Sequence, residues 1–288
     1  MTNTDQKSSV STQDVAHAVN GHLSGDSSIV LTDVTHDSRQ AGPGSLFVAI
    51  PGFQQDGCKF VNNAIDRGAE AILAEKPAPA DFNGAWITVA NAREALAQAA
   101  AEINHYPSRE LKLVGITGTN GKTTTAYLMA AVATAAGEPS AMITTVEHRI
   151  GPNRIKADRT TPEASDTQRM LRQAVETGCR MAVMECSSQA LDLRRCDALE
   201  FAVAGFTNLT HDHLDYHHTM ENYFDAKLRL FNGATGSRPG LSVINVDDEA
   251  GVQLARDLDG AGMRVTTYGI DGKADVWADA IEVSLAGV

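Results

Sequence analysis

Apolar and polar positions fall in blocks along this chain, and the period of the pattern changes from block to block. Residues 29–35, 45–50, 71–74 and 86–89 are short apolar runs of strand length, whereas 58–67 and 92–104 repeat apolar residues at helical spacing. Tyr106-Pro107-Ser108-Arg109-Glu110 reads as a linker, because proline disfavours helix continuation there. Beyond it, apolar runs at 112–117, 140–144, 181–184, 201–206 and 241–245 alternate with helical patterns, among them 125–136 and 220–231. Strands separated by helices predict an α/β fold whose mostly parallel sheet is flanked by helices. The division expected is a disordered polar tail over 1–14, a first domain over 15–110 and a second over 111–288. Residues 275–288 begin further strand structure that nothing closes, so a fragment of a longer chain is expected.

Several predicted strands run into polar residues. The run at 181–184 leads to Glu185, that at 201–206 to Thr207-Asn208 and then Asp212-His213, and that at 241–245 to Asp247-Asp248. In open α/β sheets ligands bind outside the carboxyl ends of the strands, so these groups are expected to share a crevice. The first strand leads into Gly118-Thr119-Asn120-Gly121-Lys122-Thr123-Thr124. Strand, glycine-rich turn and helix build a phosphate cradle. Glycines let backbone N–H groups face the phosphates, Lys122 supplies a cation and Thr123 a hydroxyl for magnesium. Gly115 sits one residue too early for the commonest G-x-x-x-x-G-K-[ST] spacing, which points to a particular nucleotide-binding family.

The 288 residues, 43% hydrophobic, suffice for two cores. A formal charge of −12 argues against a nucleic-acid partner. The N-terminal stretch lacks the apolar centre of a signal peptide, and no apolar run approaches the ~20 residues that span a bilayer. No C-x-x-C pair occurs among Cys58, Cys179, Cys186 and Cys196, so neither a zinc site nor a disulfide framework is indicated. A soluble, cytoplasmic protein without membrane partners is expected.

Within 220–231, Met220, Tyr223, Phe224, Leu228 and Phe231 form an apolar stripe with Lys227 in its middle. Two readings stay open. Lys227 snorkels its tip to solvent, or it is buried with a lowered pKa and acts as a neutral amine, including toward carbon dioxide. Upstream, His211-Asp212-His213-Leu214-Asp215-Tyr216-His217-His218 is dense in metal-ligand types. Tyr216 breaks the H-x-H-x-D-H spacing of binuclear zinc hydrolases, and a polar loop satisfying itself is the plainer alternative. Magnesium suits the phosphate loop better, since it takes oxygen ligands such as Glu185 and Thr123.

Taken with Asp37-Ser38-Arg39, residues 44–49, Thr160-Thr161-Pro162, Met184-Glu185-Cys186-Ser187-Ser188 and 207–217, the phosphate loop gives the chain a resemblance to the Mur ligases, ATP-dependent amide-forming enzymes of bacterial cell-wall synthesis. The segment 207–217, with Lys227 fourteen positions beyond His213, is the most specific. Within the family the chain looks like the members that add a third, diamino acid to UDP-N-acetylmuramoyl-L-alanyl-D-glutamate. The resemblance implies a small α/β N-terminal uridine-nucleotide-binding domain and a P-loop-type central ATPase domain. It implies that Gly118, Thr119, Asn120, Gly121, Lys122, Thr123 and Thr124 hold ATP. Thr123 and Glu185 would bind one magnesium ion, and His213 and a carbamylated Lys227 a second. Lys122, Glu185, His213 and Lys227 would thus be catalytic. Ser38 and Gln54 would touch the uridine nucleotide, and Thr160, Thr161, Ser187 and Arg195 the muramoyl dipeptide. The implied chemistry runs through an acyl phosphate that the diamino acid, diaminopimelate or lysine, then attacks. A monomer is expected.

Gln189, Phe53, Arg159 and His218 depart from residues frequent in the family. The family's third, C-terminal domain, with most of the amino-acid pocket, is not in this sequence. Other readings remain: a relative that extends folate or a poly-amino acid, which should lack the 213–217 segment, and a module that binds the precursor without catalysis.

Overall fold

The computed structural model describes residues 9–52, 55–270 and 272–281. Contacts divide the chain into two compact units. The first takes in residues up to Pro107 together with 163–173 and 193–198, and the second the remainder, so the division is not contiguous in sequence.

In the first unit the chain forms β1 (Val10–Ser11), α1 (Thr12–Ala18), β2 (His22–Ser24), β3 (Val30–Leu31), β4 (Asp33–Thr35) and β5 (Ser45–Ala49). There follow α2 (Val61–Asp66), β6 (Ala71–Ala74), β7 (Ala85–Thr88) and α3 (Ala92–Ile103). The sheet order is β2-β7-β6-β5-β4, parallel except for β2, and β1 pairs with β3 apart from it. Leu46, Val48, Leu73 and Ile87 pack into one core with residues of α1 and α3. Their neighbours Phe47, Ala49, Ile72, Ala74 and Trp86 pack into a second with Val61 and Ala64 of α2. Successive strand side chains point to opposite faces and both faces are covered, which is why these strands read as unbroken apolar runs.

The expected disordered tail fails from Val10 onward. Val10 and Thr12 are buried, and Val10 pairs with Leu31. Ser11 and Asp14 cap α1 reciprocally: the Asp14 N–H donates to Ser11 Oγ, and the Ser11 N–H donates to the Asp14 carboxylate. Polarity here is the signature of a helix start.

In the second unit β8 (Lys112–Thr117) leads into α4 (Lys122–Ala135), followed by β9 (Ser140–Ile143), β10 (Glu147–Ile150) and β11 (Asn153–Lys156). After α5 (Ala164–Glu176), most of which belongs to the first unit, come β12 (Met181–Glu185), α6 (Ser188–Asp192), β13 (Val203–Phe206), α7 (Leu214–His217) and α8 (Met220–Leu228). The chain continues as β14 (Leu241–Asn245), α9 (Glu249–Gly260), β15 (Val265–Gly269) and β16 (Val276–Trp277). Sheet order is β11-β10-β9-β12-β8-β13-β14-β15-β16. Neighbours from β9 to β16 are parallel, and the β10–β11 hairpin continues the β9 edge antiparallel. Ala126 and Ala130 of α4 pack on Val114, Ile116, Met142 and Val183. Small residues on that face bring the helix close to the sheet. Gly115 has a packing role inside β8, since a Cβ there would stand 2.7 Å from the Phe201 ring.

Candidate active site

The turn between β8 and α4 begins at Gly118, where the sequence places it. Gly118 has φ +142°, and a Cβ there would run into Thr207 Oγ1, so only glycine makes this turn without strain. Gly121, at φ +87°, is the N-cap of α4 and offers no side-chain cap. The N–H groups of the first helical turn therefore face outward unpaired by the helix, with the positive end of its dipole behind them.

The segment after β13 holds the turn in place. The Thr119 N–H donates to Asn208 O at 2.9 Å, and the Asn120 N–H to Asn208 Oδ1 at 2.9 Å. Thr207 Oγ1 donates to Asn120 O at 2.6 Å, and the Thr210 N–H to Thr119 Oγ1 at 2.9 Å. At the end of β14, Asn245 Nδ2 donates to Thr207 O, and just past it Asp248 accepts from the Leu209 N–H.

Two lysines meet at one carbonyl. Lys122 Nζ donates to Gly118 O (2.9 Å) and Thr119 O (2.8 Å), and Lys227 Nζ donates to the same Gly118 O at 2.9 Å. Lys227 is 1% exposed, so it does not snorkel, and its ammonium lies 4.2 Å from the centre of the Tyr223 ring. Burial, and then the positive charge of Lys122, pull its pKa down to about 7, against the pull of Asp212. Burial likewise lowers Lys122, with Glu185 and Asp212 opposing.

Glu185, at the end of β12, is 1% exposed. Its Oε1 accepts from Thr123 Oγ1 and from the Thr145 N–H, both at 2.9 Å, and its Oε2 from Thr145 Oγ1 at 3.2 Å. Thr145 Oγ1 also lies 3.1 Å from Thr160 Oγ1. Thr161 Oγ1 donates to Glu185 O at 2.8 Å and lies 3.3 Å from Ser187 Oγ. Two sets of short contacts thus lie side by side at the carboxyl ends of parallel strands: Lys122 and Lys227 on the loop carbonyls, and Thr123, Thr160, Thr161 and Ser187 around Glu185, with Lys122 and Thr123 adjacent in the chain and Thr124 exposed at the start of α4. A buried carboxylate whose contacts are hydroxyls and an amide, beside a threonine hydroxyl, is an oxygen donor set of the type magnesium takes.

His213 stands at the N-cap of α7 in left-handed backbone (φ +51°), half exposed, its Nε2 3.6 Å from Asp212 Oδ2. His217 is buried and turns Nε2 to Ser188 Oγ at 2.9 Å; burial lowers its pKa. Among the described residues no three His, Cys, Asp or Glu side chains are grouped to hold a metal ion. His217 is engaged with Ser188, not aligned with His211 and His213 as a zinc triad requires.

Ser38 and Arg195 belong to the first unit. Ser38 is buried at the start of a short 3-10 turn that the Asp37 carboxylate caps. Arg195 pairs with Glu163 at 2.8 Å, both nearly buried. Gln54 and Phe53 lie outside the described residues. Asn208 lies by the loop as the polar end of the 201–206 run led one to expect, whereas two residues close to the site, Thr145 and Tyr223, do not stand out in the sequence as site residues. Thr145 is a polar residue just past a predicted strand, which is the signal that could have found it. Tyr223 was read only as part of an apolar stripe.

Residues 116–288 match the Mur ligase middle domain, and residues 30–104 match the catalytic domain of the Mur ligase family. The chain belongs to the Mur ligase family. Two relatives are named UDP-N-acetylmuramoyl-L-alanyl-D-glutamate--2,6-diaminopimelate ligase. That of Geobacter metallireducens is 42% identical over 281 residues, covering 96% of this chain and 54% of that protein. That of Solibacter usitatus is 44% identical over 258 residues, covering 90% and 52%. A solved structure of a ligase of the same name has a TM-score of 0.81 at 27% identity, covering 97% of this chain and 56% of that one. This Mur ligase chain therefore spans about half the length of the curated relatives it matches. Among its described residues no helix is long and apolar enough to cross a membrane.

Proposed function

We propose that this chain serves an ATP-dependent ligase that adds 2,6-diaminopimelate to UDP-N-acetylmuramoyl-L-alanyl-D-glutamate in the cytoplasm. The observation that carries the reading is the junction at the phosphate loop: Lys122 against the Gly118 and Thr119 carbonyls, and Thr123 against buried Glu185. The relatives' names supply the substrate and the amino acid.

In this reading Lys122 and the N–H groups of Gly121, Lys122, Thr123 and Thr124 grip the ATP phosphates. Thr123 and Glu185 would hold one magnesium ion, and His213 with a carbamylated Lys227 a second; bound there, the ions neutralise charge as two anions approach. The Lys227 amine suits carbamylation, because a pKa near 7 leaves much of it neutral and nucleophilic at physiological pH. Its nitrogen adds to the carbon of carbon dioxide and loses a proton, so a costly buried cation becomes an oxygen ligand.

The reaction has two steps. A carboxylate oxygen of the D-glutamyl side chain bonds to the γ-phosphorus as the bond to the β–γ bridging oxygen breaks, and ADP leaves. The diaminopimelate amine then attacks the acyl carbon, loses a proton and displaces inorganic phosphate. Thr160, Thr161, Ser187 and Arg195 would position the muramoyl dipeptide, and Ser38 and Gln54 the uridine end. Calorimetric titration of the chain with Mg·ADP tests the reading. Saturable binding that Lys122→Ala abolishes is expected; equal affinity in that variant would sink it.

A further inference from the structure

Tyr223 is the largest fully buried side chain among the described residues, 1% exposed, and the chemistry proposed above gives it no task. Yet it touches several parts of the site. Its hydroxyl lies 3.2 Å from Thr119 Oγ1 in the phosphate loop. Its ring face carries the Lys227 ammonium, 4.2 Å from the centroid. The His217 ring lies against it at 5.2 Å, and the His213 ring meets it at 6.1 Å, near perpendicular. Tyr223 and Lys227 are four residues apart on α8, hence on one face. The helix is fixed at its start by Thr219, whose side chain accepts from the Asn222 N–H.

These contacts close a ring. Lys227 Nζ donates to Gly118 O; Gly118 is bonded to Thr119; Thr119 Oγ1 meets Tyr223; and Tyr223 lies under Lys227. A buried phenol needs a partner for its hydroxyl. Thr119 Oγ1 already accepts from the Thr210 N–H and lies 3.3 Å from Thr210 O, a carbonyl that can take its proton. Tyr223 can then donate into the remaining lone pair. An all-apolar residue here would fill the space and leave the loop untied.

We propose that Tyr223 is a positioning residue that fastens the phosphate loop, through Thr119, against Lys227. The inference rests on the nucleotide reading above, and Tyr223 itself touches no reacting atom.

The test is a double-mutant cycle on the whole chain. Tyr223→Phe keeps the ring and removes only the hydroxyl, so thermal unfolding should stay close to that of the unmodified chain. Mg·ADP affinity should fall about five-fold, the scale of one hydrogen bond. In a Thr119→Val background the same change should cost less than about two-fold, because the partner is already gone. A second readout is acylation of the Lys227 amine, followed by mass spectrometry without nucleotide. Its rate should rise about three-fold in Tyr223→Phe as the loop loosens over it, a response in keeping with local opening. Wild-type affinity and labelling in Tyr223→Phe, or losses that multiply independently of Thr119, would overturn the proposal. If the unmodified chain binds no Mg·ADP the nucleotide reading falls by itself, and the labelling rate still decides whether Tyr223 holds the loop on Lys227.

Discussion

The buried ammonium of Lys227 makes the stability of the second unit depend on pH. In the unfolded chain this group titrates near 10.5, and in the folded chain at about 7. Between those values the unfolded state binds a proton that the folded state does not, so raising the pH stabilises the fold there. Below pH 7 both states are protonated and burial of the cation has its full cost. Lys227→Met, which keeps the apolar stem and removes the charge, should therefore stabilise the chain most below pH 7. The gain should shrink steadily as the pH rises toward 10. Urea unfolding in bicarbonate-free buffer at several pH values checks this; a gain independent of pH would show that Lys227 is not held as a buried cation. Such an unfavourable residue in a core fits the chemical role proposed for it.

At the scale of elements, the two ends of α4 separate what glycine does for the site from what it does for the helix. Gly118 precedes the helix with its would-be Cβ in Thr207, whereas Gly137 follows it at φ +72° with nothing within 4 Å. Gly137→Ala should cost about 1–2 kcal/mol from left-handed backbone alone and leave Mg·ADP affinity unchanged. Gly118→Ala carries that cost plus the displacement of Thr207, whose hydroxyl holds Asn120 O, and should abolish measurable nucleotide binding. Denaturation and titration of both variants test this; intact binding in Gly118→Ala would mean that the loop does not need this turn. Elements that bury both faces were legible in the sequence: 71–74 and 112–117 are the observed β6 and β8. What escaped was polar. β11 is exposed throughout and its partner β10 carries Glu147, His148 and Arg149, so neither has an apolar run to detect. In α5, Thr167, Gln168 and Arg172 are buried, which hides its inward face behind polar residue types. The glycine-rich turn was legible because a phosphate cradle demands particular residues at fixed spacing. The aromatic bridge at Tyr223 was not, because helical spacing alone cannot separate a packing ring from one that carries a hydroxyl to a loop.

For the molecule as a whole, the informative feature is that each unit has cores of its own. The first unit packs both faces of its sheet within itself, and the loop, Lys122, Glu185 and Lys227 are all drawn from the second. Damage to the first unit's core should therefore lower stability without touching the chemistry at the phosphate loop. Leu73, in the middle of β6 and 0% exposed, is the position to change. Leu73→Ala should destabilise the first unit by about 2–5 kcal/mol, from lost transfer energy and the cavity left behind. Well below the new transition temperature, Mg·ADP affinity should stay within about two-fold of the starting value, because sites in separate cores that share no partners behave additively. Hydrogen exchange on the same variant should be faster in β5, β6 and β7 and unchanged in β8 and β12. If affinity instead falls in proportion to stability, the two units unfold as one cooperative body, and the phosphate site depends on a sheet that supplies none of its ligands.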